Sequence, residues 1–157
     1  MNKDVVPCEI RGILPANSGC AIFVGNEEKA FVIQVEHSMG AIIGMFLKQT
    51  PKERPLTHDL VKNVFLGFGI TVERVIITEI RQSTYYARLI LKQANELGTK
   101  MLEVDSRPSD GLALAAAHSA PIYVAAGLFR DVEDMSELLQ RINEEQEQED
   151  ENGESES

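Results

Sequence analysis

Apolar and polar side chains alternate along several short segments of the chain, and this period of two predicts β-strands. Seven segments show the pattern: residues 5–14, 20–24, 30–35, 72–80, 84–91, 100–105 and 121–124. Other segments place apolar residues three and four positions apart, which predicts amphipathic helices. Two of these helices begin near Ser38 and Thr57, the residues expected to cap them. A third begins at Pro108 and ends near His118.

The order of these elements predicts an α+β fold with a mixed, mainly antiparallel sheet and packed helices. Three strands followed by a helix occur in residues 5–47 and again in residues 72–118. This order favours the hypothesis of a duplicated β-β-β-α unit. The surest hairpin joins residues 72–80 to 84–91 through Gln82-Ser83, a pair poorly suited to the type I′ turn that short hairpins favour.

One strand-to-helix corner concentrates polar groups. Asp105 ends the strand that precedes it, and Pro108 displaces Arg107 from helical geometry while suiting the first helical turn itself. Asp110 then falls in the first turn, where a carboxylate is expected to accept free backbone N–H groups. The corner is therefore either a functional site or a well-capped junction.

The formal charge of the whole chain is −10, but the acidity belongs to its end. Residues 131–157 hold 12 acidic residues against the single base Arg141, which leaves 13 acidic and 14 basic residues in residues 1–130. A nearly neutral body lacks the strong basic footprint of a tight DNA-binding protein. Helical spacing of apolar residues predicts a last amphipathic helix over residues 131–143. Residues 144–157 contain no apolar residue and are expected to be a disordered, acidic tail.

Cys8 and Cys20 stand in strand-like apolar surroundings without a C-x-x-C motif, so we expect reduced thiols in a cytoplasmic protein. Neither thiol is a good candidate nucleophile. No apolar run approaches the roughly 18 residues of a membrane span, and the first residues are followed by no signal-peptide core. We therefore expect no membrane partner.

Three motifs together resemble the bifunctional nuclease domain family: Arg54-Pro55-Leu56-Thr57-His58-Asp59-Leu60, then Tyr85-Tyr86-Ala87-Arg88-Leu89, then Asp105-Ser106-Arg107-Pro108-Ser109-Asp110 with Pro121-Ile122-Tyr123-Val124 beyond it. The resemblance identifies residues 1–130 as a domain of this kind. It implies a compact α+β domain, often a homodimer, and cleavage of both DNA and RNA by plant relatives. The chain is accordingly expected to be a nuclease, a hydrolase with DNA and RNA as partners.

Hydrolysis of a phosphodiester requires an activated water, neutralisation of charge in the transition state and help for the leaving oxygen. Carboxylates that bind Mg²⁺ or Mn²⁺ commonly meet the first two needs. We therefore expect Asp105 and Asp110 to be metal ligands and Arg107 to contact the phosphate. His58 and Asp59 become the acid or base if the two helix starts converge.

Each of these residues also has a structural interpretation. Arg107 is a candidate partner for Asp105 or Asp110 in a network that locks the corner, and His58 is a candidate for an ordinary hydrogen-bonded role. The alternative function is therefore a non-catalytic binding or assembly module in which the Arg-Pro corners are structural.

Two smaller signals leave alternatives open. Tyr85 and Tyr86 should point to opposite faces of one strand, so one is expected in the core while an exposed one is a candidate for stacking on a base. Gly40 and Gly44 lie four apart on a helix and allow a close approach, either to the domain's own sheet or to a second copy in a homodimer.

Overall fold

The computed structural model describes residues 4–155; residues 1–3 and 156–157 of the predicted domain and tail lie outside this range. Seven strands occupy the described chain: β1 (Val5–Ala16), β2 (Gly19–Gly25), β3 (Ala30–Val35), β4 (Ile70–Arg81), β5 (Thr84–Asn95), β6 (Gly98–Ser106) and β7 (Ile122–Ala125). Its helices are α1 (His37–Leu47), α2 (Thr57–Gly67), α3 (Pro108–His118), α4 (Ala126–Asp131) and α5 (Ser136–Ser155).

The strands form one sheet with the order β3-β2-β1-β7-β4-β5-β6. All neighbouring pairs are antiparallel except β4 and β7, which are parallel. The predicted α+β fold with a mixed, mainly antiparallel sheet is thus confirmed. Each half is a meander in chain order followed by a helix, and the two halves flank β7 with β1 and β4 innermost. The common strand order is what the hypothesis of a duplicated unit requires.

The larger part of the core lies between the sheet and helices α1, α3 and α4. Gly40 brings α1 against the sheet so closely that a Cβ atom there would lie 2.4 Å from the Sγ atom of Cys20. Gly44 faces Ile13 of β1, where a Cβ atom would lie 3.8 Å from its Cδ1. Both glycines therefore contact the domain's own sheet.

The sheet is strongly curved, so that strands near its two ends approach each other. The Phe31 ring of β3 lies 5.8 Å from the Tyr85 ring of β5, although four strands separate β3 from β5 in the sheet order. This curvature brings the free edge of β3 close to the turn between β4 and β5. In that turn Gln82 and Ser83 have φ angles of 48° and 65°, so both residues adopt the left-handed geometry that a type I′ turn requires.

Three local predictions were wrong. Ser38 and Thr57 are not the residues that cap α1 and α2, because both helices include them and follow the extended residues Glu36 and Leu56. The last helix does not end near residue 143: α5 continues to Ser155, and residues 144–155 are helical rather than disordered. The buried Leu139 anchors the early turns of α5, and a docked turn supplies the nucleus from which Glu- and Gln-rich sequence propagates as helix. The short helix α4 was not predicted.

Candidate functional site

The strand-to-helix corner at Arg107-Pro108 has the geometry that its sequence predicts. β6 ends at Ser106, Arg107 is extended with ψ at 144°, and α3 begins at Pro108. The N–H of Gly111 donates to the carbonyl of Arg107 at 3.0 Å and closes the first helical turn. A Cβ atom on Gly111 would lie 2.9 Å from a methyl group of Val75, so α3 rests closely on β4 at this point. The position of Asp110 is therefore set by the sheet beneath it.

The two helix starts converge, as the site hypothesis requires. His58 in the first turn of α2 places its Nε2 atom 2.9 Å from Oδ1 of Asp110. Arg107 donates from its Nε atom to Oδ2 of Asp110 at 2.7 Å. Asp110 thus accepts two side-chain donors, rather than the backbone N–H groups that were expected to occupy it. We call these three residues, His58, Arg107 and Asp110, the polar cluster.

Asp110 is held as a carboxylate. Burial opposes its ionisation, but the hydrogen bonds from Arg107 and His58 outweigh burial and lower the pKa of Asp110 below its ordinary value of 3.8. The same hydrogen bond, the charge of Asp110 and the more distant charge of Glu36 raise the pKa of Arg107. The cluster therefore pairs a permanent cation with a permanent anion at neutral pH.

The three members of the polar cluster differ in their access to solvent. The side chain of Arg107 is 65% exposed and that of Asp110 is 30% exposed. His58 is buried against Phe46, and its Nδ1 atom has no hydrogen-bond partner within residues 4–155. Because Nε2 meets Asp110 and Nδ1 is buried, neither ring nitrogen faces solvent. In this arrangement His58 contacts Asp110 from the buried side, while Arg107 is the member of the cluster most exposed to solvent.

Asp59 and Asp105 lie apart from the polar cluster. Asp59 accepts the backbone N–H of Leu56 at 2.8 Å, and Lys52 lies 3.4 Å from its other oxygen, so Asp59 fastens the start of α2. Asp105 is the second-last residue of β6 and is exposed. Its neighbour Ser106 faces α3 beside Gly111, and side chains alternate along a strand, so Asp105 points to the opposite face of the sheet. There it stands directly across from Arg88 in β5.

This donor set does not fit a resident divalent metal ion. Both oxygens of Asp110 are engaged by nitrogen donors, and Asp105 faces the other side of the sheet. Across the part of the chain that the structure describes, no three His, Cys, Asp or Glu side chains gather as a potential metal site. The thiols offer no alternative chemistry, since Cys20 is buried and burial raises the pKa of Cys8 to about 11.

The polar cluster opens on a cleft of about 500 Å³ through Arg107. The cleft separates β3 from the β4–β5 turn, and Glu36 and Tyr85 are among the residues that line it. We call it the β3 cleft. Asp59 borders a different and larger cleft of about 780 Å³ between α1, α2 and the end of α3. Glu36 was not among the predicted site residues, although its place before α1 matches that of Arg107 before α3.

The two adjacent tyrosines occupy opposite faces of β5, as their spacing predicts. Tyr85 is partly buried beside Phe31 and borders the β3 cleft. Tyr86 is exposed, and the guanidinium of Arg81 lies 5.5 Å from the centre of its ring. The tyrosine that lines a cleft is therefore the more buried of the two.

No helix within residues 4–155 is both long enough and apolar enough to cross a membrane.

Comparison with known proteins gives the chain its family. An uncharacterized protein of Mycobacterium tuberculosis is 31% identical over 99 residues, which cover 63% of this chain and 56% of that protein. Bifunctional nuclease 1 of Oryza sativa subsp. indica and bifunctional nuclease of Oryza minuta are each 30% identical over 108 residues, which cover 60% of this chain and 32% of the relative. The matched segment thus spans about half of the mycobacterial protein and about a third of the rice proteins. The family model described as the bifunctional nuclease domain matches residues 22–136. This range includes Arg54-Pro55, Arg107-Pro108 and all three members of the polar cluster. The chain belongs to the bifunctional nuclease domain family.

Proposed function

We propose that this protein is a nuclease that hydrolyses phosphodiester bonds of both DNA and RNA, with Arg107 as the residue that binds the phosphate. Family membership supports a nuclease-related function. The observation that carries the assignment of the site is the state of Arg107. Its guanidinium is anchored through Nε at 2.7 Å, yet 65% of the side chain is exposed at the mouth of the β3 cleft.

An anchored and exposed arginine suits a phosphate for a geometric reason. The Nε–Asp110 hydrogen bond fixes the plane of the guanidinium, so the terminal nitrogens keep one orientation without further loss of freedom. A phosphoryl group gains negative charge on its oxygens as water attacks phosphorus and the leaving oxygen departs. A preoriented cation stabilises that charge more than it stabilises the substrate, which is the condition for accelerating the reaction.

Asp110 and His58 act as positioning residues in this proposal. Asp110 orients Arg107, and His58 orients Asp110 through the 2.9 Å contact. Because the donor set does not fit a resident metal ion, neither Asp105 nor Asp110 is assigned a metal. Dependence on Mg²⁺ or Mn²⁺ is instead tested directly in the cleavage assay.

One observation favours the alternative of a non-catalytic module. His58 is buried, and with Asp110 it ties α2 to α3, which is the arrangement expected of a structural clamp. The two functions differ in what they predict for Arg107. A clamp needs Asp110 and His58 but gains little from an exposed arginine, whereas a nuclease depends on it.

The experiment compares cleavage of end-labelled single-stranded DNA and RNA by the purified chain and by Arg107→Gln. Removal of one charge-stabilising donor should reduce the rate on both substrates by about 100-fold. Arg88→Gln is the matched control, because Arg88 is also partly exposed but lies across from Asp105 on the other face of the sheet. It should retain the rate of the unaltered chain.

Two further measurements complete this test. Thermal unfolding should show that Arg107→Gln remains folded. EDTA and Asp105→Asn, applied separately, test the metal prediction, since loss of cleavage with both would indicate a metal bound near Asp105. Equal rates for Arg107→Gln and the unaltered chain would contradict the proposal, as would nuclease activity that separates from the protein on purification. Either result would favour the alternative of a non-catalytic module.

A further inference from the structure

One wall of the β3 cleft is an open strand edge. Ala30 directs its backbone groups away from β2: its N–H donates to Ser136 at 3.1 Å, and its carbonyl accepts from the N–H of Met135. Backbone groups two residues apart on a strand point the same way, so Val32 and Gln34 also direct their N–H and C=O groups outward. Residues 134–136 make these backbone hydrogen bonds with Ala30, and Met135 packs in the same apolar cluster as the Val32 side chain. The edge at Val32 and Gln34 lines the cleft, and β3 is an edge strand of the sheet, so these outward backbone groups have no strand partner among residues 4–155.

The opposite wall is aromatic and polar. Tyr85 stands across the cleft from β3, and Ser83 and Thr84 of the β4–β5 turn also line it. Burial raises the pKa of Tyr85 above its ordinary value of 10.0, so its hydroxyl stays protonated at neutral pH. A flat aromatic ring opposite a row of backbone donors and acceptors matches the two features of a nucleobase, its π-face and its hydrogen-bonding edge.

Arg107 supplies the third feature at one end of the same cleft. A cation there is complementary to a phosphate, and the volume of about 500 Å³ falls in the range of small-ligand sites. Glu36 also borders the cleft and disfavours a second negative group beside it. Together these walls suit a ligand that carries one phosphate at the end of one planar, hydrogen-bonding group.

We propose that the β3 cleft binds a single unpaired nucleotide of the substrate, with its phosphate on Arg107 and its base between Tyr85 and the edge of β3. This inference rests on the proposed nuclease function and specifies its substrate class as single-stranded nucleic acid. A base within a duplex is stacked and paired, so it must leave the helix before its edge can reach Val32 and Gln34. The protein should therefore prefer single strands over duplexes of the same sequence.

The test measures binding separately from cleavage. Fluorescence anisotropy follows a short, dye-labelled single-stranded oligonucleotide with phosphorothioate linkages, and the corresponding duplex, bound to the full chain. Tyr85→Leu keeps apolar volume next to Phe31 but removes stacking, and it should weaken single-strand binding by about tenfold. Tyr86→Leu is the matched control, since Tyr86 is the neighbouring tyrosine on the other face of β5, and it should leave affinity unchanged.

Arg107 gives a readout that a structural role would not change. Each phosphate contact adds about 0.7 to the slope of log affinity against log salt for a single strand, so Arg107→Gln should flatten that slope by about this amount. An unchanged slope would contradict a phosphate on Arg107. Circular dichroism of each variant confirms that altered binding does not reflect unfolding.

The outcomes separate this inference from the proposed function. Binding that depends on Tyr85 without any cleavage would overturn the nuclease and support the subsite. Cleavage with equal affinity for single strand and duplex, or equal effects of Tyr85→Leu and Tyr86→Leu, would overturn the subsite alone. An extended peptide that perturbs the Val32 and Gln34 amide resonances, when the oligonucleotide does not, would also overturn it and assign the β3 edge to strand addition by a protein.

Discussion

Two strand-to-helix corners can be compared: the first joins β3 to α1 and the second joins β6 to α3. They share one backbone conformation and differ in the chemistry of their side chains. Glu36 before α1 and Arg107 before α3 are both extended, with φ at −65° and ψ at 153° and 144°. In each corner the fourth helical residue is a glycine, Gly40 or Gly111, whose N–H donates to the carbonyl of the preceding cap residue at 3.0 Å. Each glycine also rests against the sheet more closely than a Cβ atom would permit.

The difference lies in two positions. The third helical residue is Met39 in the first corner, where it is buried in the core, and Asp110 in the second, where it reaches His58 of α2. The cap residue is the anion Glu36 in one corner and the cation Arg107 in the other, and both line the β3 cleft. A repeated scaffold thus places two unlike charges at one opening, and only the second corner has a partner helix that orients its charge.

The largest expected effect on stability comes from replacing the closely packed glycine that both corners share. Gly40→Ala should lower the free energy of unfolding by about 2 kcal/mol even after the gain in helix propensity, because the new Cβ would press on the fixed Cβ of Cys20 at 2.6 Å. Gly111→Ala should cost about 1 kcal/mol, since the closest contact of the new Cβ would be a methyl of Val75 at 2.9 Å. Chemical denaturation measures both, with Gly153→Ala on exposed α5 as the control. Stabilisation by either core substitution would contradict the close packing.

The next largest effect tests the hydrogen bonds of Asp110, which distinguish the second corner from the first. Asp110→Asn should cost about 1.5 kcal/mol near neutral pH, because the neutral amide cannot keep both charge-assisted hydrogen bonds. The folded-state pKa of Asp110 lies below its unfolded value, so its contribution is present above about pH 4 and is lost as pH falls through the lowered pKa. The difference in stability between the unaltered chain and Asp110→Asn should therefore shrink in acid.

Met39→Leu provides the control from the first corner. It conserves apolar volume and adds no titrating group, so its offset in stability should not vary with pH. Unfolding free energies between pH 2 and pH 7 measure both variants. A pH-independent offset for Asp110→Asn would contradict the ionised carboxylate that the polar cluster requires.

The smallest effect concerns the charge that opposes Arg107. Glu36→Gln should tighten binding of the single-stranded oligonucleotide by about twofold, because it removes a negative charge beside the phosphate without touching Arg107. Stability should not change measurably, since the exposed Glu36 side chain makes no capping hydrogen bond. Weaker binding by Glu36→Gln would show that Glu36 contributes a contact of its own.

Local periodicity was sufficient to predict most elements of the fold. The alternation of residues 100–105 and the restraint from Pro108 predicted the second corner and the bounds of α3 to the residue. The repeated order of three strands and a helix predicted both meanders. The convergence of His58 with Asp110 was predicted only conditionally, and the structure places these side chains in hydrogen-bond contact.

Features that depend on distant contacts were not predictable in the same way. The curl of the sheet, which brings β3 to Tyr85 and creates the cleft, leaves no periodic signal in either strand. The opposed faces of Asp105 and Ser106 do follow from strand alternation, but only once β6 is known to reach Ser106. The helix over residues 144–155 depends on docking of the earlier turns, which composition alone does not report.

The turn at Gln82 and Ser83 has a consequence for how firmly the cleft keeps its shape. Two successive non-glycine residues with positive φ are conformationally strained, at a cost on the order of 1 kcal/mol or more each. The long ladder between β4 and β5 holds them there, because a relaxed turn would shift the register of both strands. The position of Tyr85 at the wall of the cleft therefore depends on backbone hydrogen bonds along the whole hairpin as well as on its packing against Phe31.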